Sequence, residues 1–116
     1  MLVLDSGGVS VLATRDEATA AIIRVFVRDG LWPPLLPSIV LVECLSGRQR
    51  TDAVVNRIVK TCDVVEELPT SVARRAAEIR RTARRGSAVD AVLVAVAEPG
   101  GAVLTGDVGD MRALAG

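Results

Sequence analysis

Histidine and tyrosine do not occur in this 116-residue chain, and phenylalanine and tryptophan occur once each. Without histidine there can be no Ser-His-Asp or Cys-His catalytic site, no HExxH zinc site and no imidazole general base. Without tyrosine, phenol acid–base chemistry is excluded as well. With so few rings the core must be built from Val, Leu, Ile and Ala, a composition that suits a buried parallel sheet under Ala-rich helices. Only two cysteines occur, Cys44 and Cys62, in no CxxC or zinc-site spacing, and they read as free buried thiols. No apolar run approaches membrane-spanning length, and MLVLDS, with an acid at position 5, is not a signal peptide, so a cytoplasmic protein is expected. Charge of one sign is not in excess: 14 basic residues balance 14 acidic ones. Lys60 is the sole lysine, the other basic residues being arginine, which suits phosphate recognition or reflects a compositional bias.

What is present alternates. MLVL reads as a buried strand ending at Asp5, and the Gly7-Gly8 pair breaks it. A helix over about 16–28 is stopped by Gly30, and Pro33, Pro34 and Pro37 bracket a second strand at Leu35-Leu36. Ser38 is placed to cap a helix carrying IVLVECL, a further helix covers 51–61, and DVVEEL supplies a third strand. Thr70 is placed to cap the basic helix SVARRAAEIRRTARR, which stops at Gly86, and another helix opens at Ser87. A strand at 102–105 and a last helical turn from Gly109 complete the chain. Strands separated by helices predict one α/β domain over 1–116, a parallel-sheet α/β/α sandwich.

Four acids stand out from this frame. Asp5 ends the first strand and Asp107 follows the last, so both fall on the carboxyl edge of a parallel sheet, where functional groups gather. Glu43 lies inside an apolar helix, and Asp90 sits in the apolar run 88–97. Taken singly, each has an ordinary role: caps for Asp5 and Asp107, a capping box with Ser87 for Asp90, and an arginine partner for Glu43. Taken together, four carboxylates in one cleft would repel one another unless a cation sat among them. An all-oxygen donor set suits Mg²⁺, with Mn²⁺ as a substitute, ions that serve phosphoryl chemistry.

The segments LVLDS, LPSIVLVECLSG, SAVDAVLVAVA and AVLTGDVGDMRALAG, in this order and across nearly the whole chain, resemble the PIN-domain ribonucleases, specifically the VapC-type toxins of bacterial toxin–antitoxin pairs. The resemblance implies a PIN-like fold and metal-dependent endoribonuclease activity. It places the catalytic, metal-binding acids on Asp5, Glu43, Asp90 and Asp107, with Ser6, Thr105 and Asp110 as accessories. It further implies an RNA substrate, a cognate antitoxin partner and a homodimer, for which segments 20–32 and 39–45 offer apolar surface. Cleavage by in-line attack of water needs no ribose 2′-OH, so 5′-phosphate and 3′-OH ends are expected. Two departures from the family pattern are the flexible Gly7-Gly8 beside the first acid and the final edge strand of many relatives, which is not found up to Gly116, so that the protein lacks it or the sequence stops short of it.

Of the basic residues, Arg84 and Arg85 lie closest in sequence to Asp90 and are candidates for gripping phosphate. The other arginines of their helix read as a solvated face. With so few rings, RNA would be chosen by shape and backbone contact rather than by stacking. The competing class is a binding module, a PIN-like domain without catalysis that serves as a partner or RNA scaffold. Phosphoryl transfer to an aspartate, as in receiver domains or aspartate-based phosphatases, is disfavoured. The former wants paired early acids and a late strand-end lysine, and the latter wants an acid where Gly7 stands.

Overall fold

In the computed structural model, which describes residues 1–105, the apolar run Leu2–Leu4 forms β1 at the centre of a sheet. Three other strands join it: β2 (Leu35–Pro37), β3 (Asp63–Val65) and β4 (Ala102–Leu104). Their order is β3-β2-β1-β4 and every pairing is parallel. Among the described residues six helices connect them: α1 (Ser6–Ala13), α2 (Glu17–Arg28), α3 (Leu41–Cys44, preceded by a 3₁₀ turn over Ser38–Val40), α4 (Gln49–Val59), α5 (Thr70–Ala83) and α6 (Ala88–Ala97). The connections β1 to β2 and β2 to β3 step one way along the sheet, and β3 to β4 steps back past β1. Because parallel crossovers are right-handed, α1–α4 cover one face and α5–α6 the other. The result is the expected α/β/α sandwich.

The core is aliphatic, as the scarcity of rings requires. Leu4, Leu36, Leu93, Val3, Val9 and Val40 are fully buried, and Phe26 and Trp32 only pack against its margin. Nearly every residue of α6 is apolar, and six of its ten are buried, which explains why its sequence shows little helical periodicity. Its last turn lies at the amino edge of the sheet: the Gly101 N–H donates to the Ala97 carbonyl at 2.8 Å, and Gly101 also packs by Met1. A ten-residue helix is about 15 Å long, so its first turn, with Asp90, reaches toward the opposite, carboxyl edge.

Several local expectations are corrected. Gly7-Gly8 lies inside a helix: α1 starts at Ser6, one residue after the strand, because the Asp5 carboxylate caps it by accepting from the Gly8 N–H at 2.7 Å. Gly8 is required there for space, since a Cβ would lie 2.3 Å from the Leu104 carbonyl oxygen. Ser38 caps nothing; its hydroxyl donates to the Glu66 carbonyl at 3.4 Å. Thr70 is the first residue of α5, behind Pro69, and offers no side-chain cap. The left-handed residue ending α5 is Arg84, two positions before Gly86, and β3 stops at Val65. The helical turn expected from Gly109 lies outside the described residues.

Candidate functional site at the carboxyl edge of the sheet

The strand order has one topological switch point, between β1 and β4, where the chain leaves toward one face from β1 and arrives from the other at β4. In open α/β sheets the crevice outside the carboxyl ends at such a point is the ordinary ligand site. The pairing Leu4↔Leu104 sets Asp5 beside Thr105 there. The Asp5 N–H donates to the Leu104 carbonyl at 3.2 Å, which fixes the acid to both strands. One carboxylate oxygen accepts from Gly8, and the other accepts from the Thr105 hydroxyl.

Asp5 is 5% exposed, and among the described residues it is the only buried residue with a formal charge. Its partners are neutral donors and the amino end of α1; no ion pair reaches it among the described residues. Capping alone does not require burial. Asp16 caps α2 with the same geometry, accepting from the Thr19 N–H at 2.8 Å, while remaining exposed. Burial at Asp5 therefore goes beyond what its role as a cap requires, with the two hydrogen bonds and the amino end of α1 offsetting its desolvation.

Glu43 follows from β2. Val3↔Leu35 brings Pro37 level with Asp5, and the 3₁₀ turn runs directly into α3, which carries Glu43 and Cys44. Glu43 lines a cavity of about 250 Å³ with Ser6, Gly7, Val9, Ser10, Cys44 and Val55. Burial pushes the Cys44 thiol up, and the negative charges of Glu43 and Asp5 push it further, so both acids act on one point. Glu43 is exposed, and the arginine partner that would explain it is not found among the described residues.

Asp90 is half-buried in the first turn of α6. Its N–H donates to the Ser87 hydroxyl at 3.0 Å, one half of a capping box, while its carboxylate makes no hydrogen bond or ion pair among the described residues. Ser6 opens α1 on the cavity wall. Arg84 and Arg85 are both exposed on the link from α5 to α6. Asp107 and Asp110 lie outside the described residues.

The donors at this edge are carboxylates and hydroxyls, an oxygen set suited to a hard divalent cation. Among the described residues, however, no three Asp, Glu, Cys or His side chains stand close enough together to hold one ion. Cys44 feels the charge of both Glu43 and Asp5, and Asp90 lies in the first turn of α6 on the opposite face of the sheet. Sequence reasoning missed the contact of Gly8 with Leu104 and the place of Cys44 on the cavity wall. A small-residue pair directly after a strand-end acid was the available signal for the first; nothing in the sequence marked the second.

Comparison with protein-family models, curated proteins and solved structures finds no match to this chain. No helix among the described residues is long and apolar enough to cross a membrane.

Proposed function

We propose that the protein is a divalent-metal-dependent endoribonuclease of the PIN type, acting as the toxin of a toxin–antitoxin pair. The observation that carries this is Asp5: a carboxylate buried at the switch point of a parallel sheet, without a cationic partner among the described residues. A bound Mg²⁺ or Mn²⁺ would supply positive charge for the phosphate of the RNA substrate. Asp5, Glu43, Asp90 and Asp107 are the residues to hold it, with Asp110 as an accessory.

The chain's own groups have distinct parts. Thr105 and the Gly8 N–H orient the Asp5 carboxylate, so it presents fixed lone pairs at the edge. Ser6, which lines the cavity, would hydrogen-bond a substrate phosphate or its water. Glu43 and Asp90 remain without protein partners among the described residues and are available as acceptors. A homodimer and a cognate antitoxin belong to the same proposal. The exposed Ile22, Val25 and Val27 of α2, with Ile39, Val42 and Leu45, provide apolar surface for such contacts.

Mn²⁺ titration followed by electron paramagnetic resonance tests the metal site. Saturable binding to the full-length protein, lost in Asp5→Asn and Asp90→Asn, is expected. Equal binding by wild type and both variants would overturn the assignment and leave the non-catalytic binding module as the better account.

A further inference from the structure

Charge is unevenly spread along this neutral chain. Residues 70–86, comprising α5 and the turn after it, carry Arg74, Arg75, Arg80, Arg81, Arg84 and Arg85 against Glu78 alone. Five net positive charges are thus concentrated there, and the rest of the chain is negative by the same amount. Such a segregated field attracts a polyanion even when the total charge is zero.

The arrangement on the helix sorts these arginines. Ala76 and Ile79 are buried, with Val72 and Ala83 half-buried beside them, and at 100° per residue Arg74 and Arg81 fall on the opposite, outer face. Arg75 is committed to structure: its guanidinium grips both Glu98 oxygens at 2.9 and 3.1 Å and lies 3.2 Å from Glu78. Arg80 donates to the Gly86 carbonyl at 3.5 Å. Arg74, Arg81 and Arg84 are exposed and have no ion pair among the described residues. Arg84 also holds a left-handed conformation, φ +57°, where glycine would cost about 1 kcal/mol less.

The location is as informative as the charge. Arg84 to Gly86 lead straight into Ser87 and the first turn of α6, so this end of α5 shares the carboxyl edge with Asp90. From Arg84 the stripe runs back through Arg81 to Arg74, about 15 Å along the axis. Both rings of the chain pack against the core margin, so no aromatic platform competes with it.

We infer that Arg84, Arg81 and Arg74 form a track for the RNA backbone leading away from the carboxyl edge, holding substrate by its phosphates outside the acidic site. This rests on RNA being the substrate, but it concerns binding and not cleavage. The test is fluorescence anisotropy of a labelled 15-nucleotide single-stranded RNA with the full-length protein in chelator, over a range of salt. Arg74→Glu/Arg81→Glu should weaken binding about tenfold or more at low salt and flatten the log–log salt slope by about 0.7 for each phosphate no longer gripped. Arg74→Lys/Arg81→Lys should keep most of both, and Arg24→Glu/Arg28→Glu on α2, with the same change in net charge, should weaken binding far less. If reversal on α5 costs no more than reversal on α2, the track is wrong. If a labelled acidic peptide binds the stripe and RNA does not, the occupant is wrong. A protein that binds RNA through α5 yet never cleaves it with metal would refute the nuclease proposal alone.

Discussion

Replacing Gly8 by alanine adds one methyl group at the junction of helix α1, strand β4 and the site. An ideal Cβ at this position lies 2.3 Å from the Leu104 carbonyl oxygen and 3.1 Å from its carbon. Ordinary carbon–oxygen approach is about 3.3 Å, so about 1 Å must be found by moving backbone. Neither side gives easily. Helix α1 packs on β1, β4 and α4, and the Leu104 carbonyl already accepts from the Asp5 N–H at 3.2 Å. Overpacking of this kind costs about 1–3 kcal/mol, and loosening the hydrogen bond adds about 1 kcal/mol. Alanine regains about 0.5–1 kcal/mol of helix propensity and unfolded-state entropy. The net expectation is a loss of about 2 kcal/mol, or roughly 8 °C in Tm for a chain of this length. Urea melts followed by circular dichroism measure it, with Gly30→Ala as the comparison. Gly30 has φ +73° and nothing within 4 Å of its Cβ position, so backbone strain alone should cost it about 1 kcal/mol. Gly8→Ala as stable as wild type would refute the close packing of α1 on β4 on which the position of Asp5 depends.

Asp90→Asn keeps the Ser87 hydrogen bond to its N–H, so its stability in chelator should stay within about 0.5 kcal/mol of wild type. Mg²⁺ at a hundred times its Kd should stabilise wild type by about 2.7 kcal/mol and the variant much less; equal shifts in thermal melts would count against Asp90 as a ligand. Asp52 accepts from the Ser46 N–H and hydroxyl and the Gly47 N–H, and the Ser46 N–H foremost holds its carboxyl below the usual range. Its contribution is therefore present above the ordinary carboxylate pKa and lost as pH falls through the depressed one. Asp52→Asn should flatten the acid limb of a Tm–pH profile, and an unchanged limb would refute this. Burial pushes the Cys62 thiol up, so in a Cys44→Ser background its alkylation should rise only at higher pH than that of the unfolded chain; identical pH profiles would show the thiol to be solvated.

Much of this architecture could be read from the sequence because alternating strand and helix signals leave few topologies for a parallel sheet. Leu2–Leu4 and Ala102–Leu104 are short apolar runs bounded by polar or glycine residues, and each became a strand. Helix α1 was not legible. Its paired glycines disfavour a helix on propensity alone, and only tertiary contact with Leu104 explains them. Asp5 and its Thr105 partner were legible as strand-end residues, but burial depends on how β1 and β4 pair, a contact across 100 positions. Asp5 proves to be a cap and buried at once, so the ordinary role does not exhaust it. Glu43 could not be judged from sequence at all, since finding or failing to find an arginine partner requires coordinates. The outer face of α5 was readable as basic. Which arginines are committed, as Arg75 is to Glu98, depends on the packing of α5 on α6.

The proposed function requires the carboxyl edge around Asp5 to hydrolyse RNA with the help of a divalent cation. Purified protein incubated with a mixed RNA pool, with Mg²⁺ or with chelator, tests it most directly when the 5′ ends produced are captured by ligation without kinase treatment. Cleavage that requires the ion, yields ligatable 5′-phosphates and disappears in folded Asp5→Asn is the predicted result. Cleavage that persists in chelator, gives 2′,3′-cyclic phosphates or survives Asp5→Asn would contradict it, as would intact RNA under every condition.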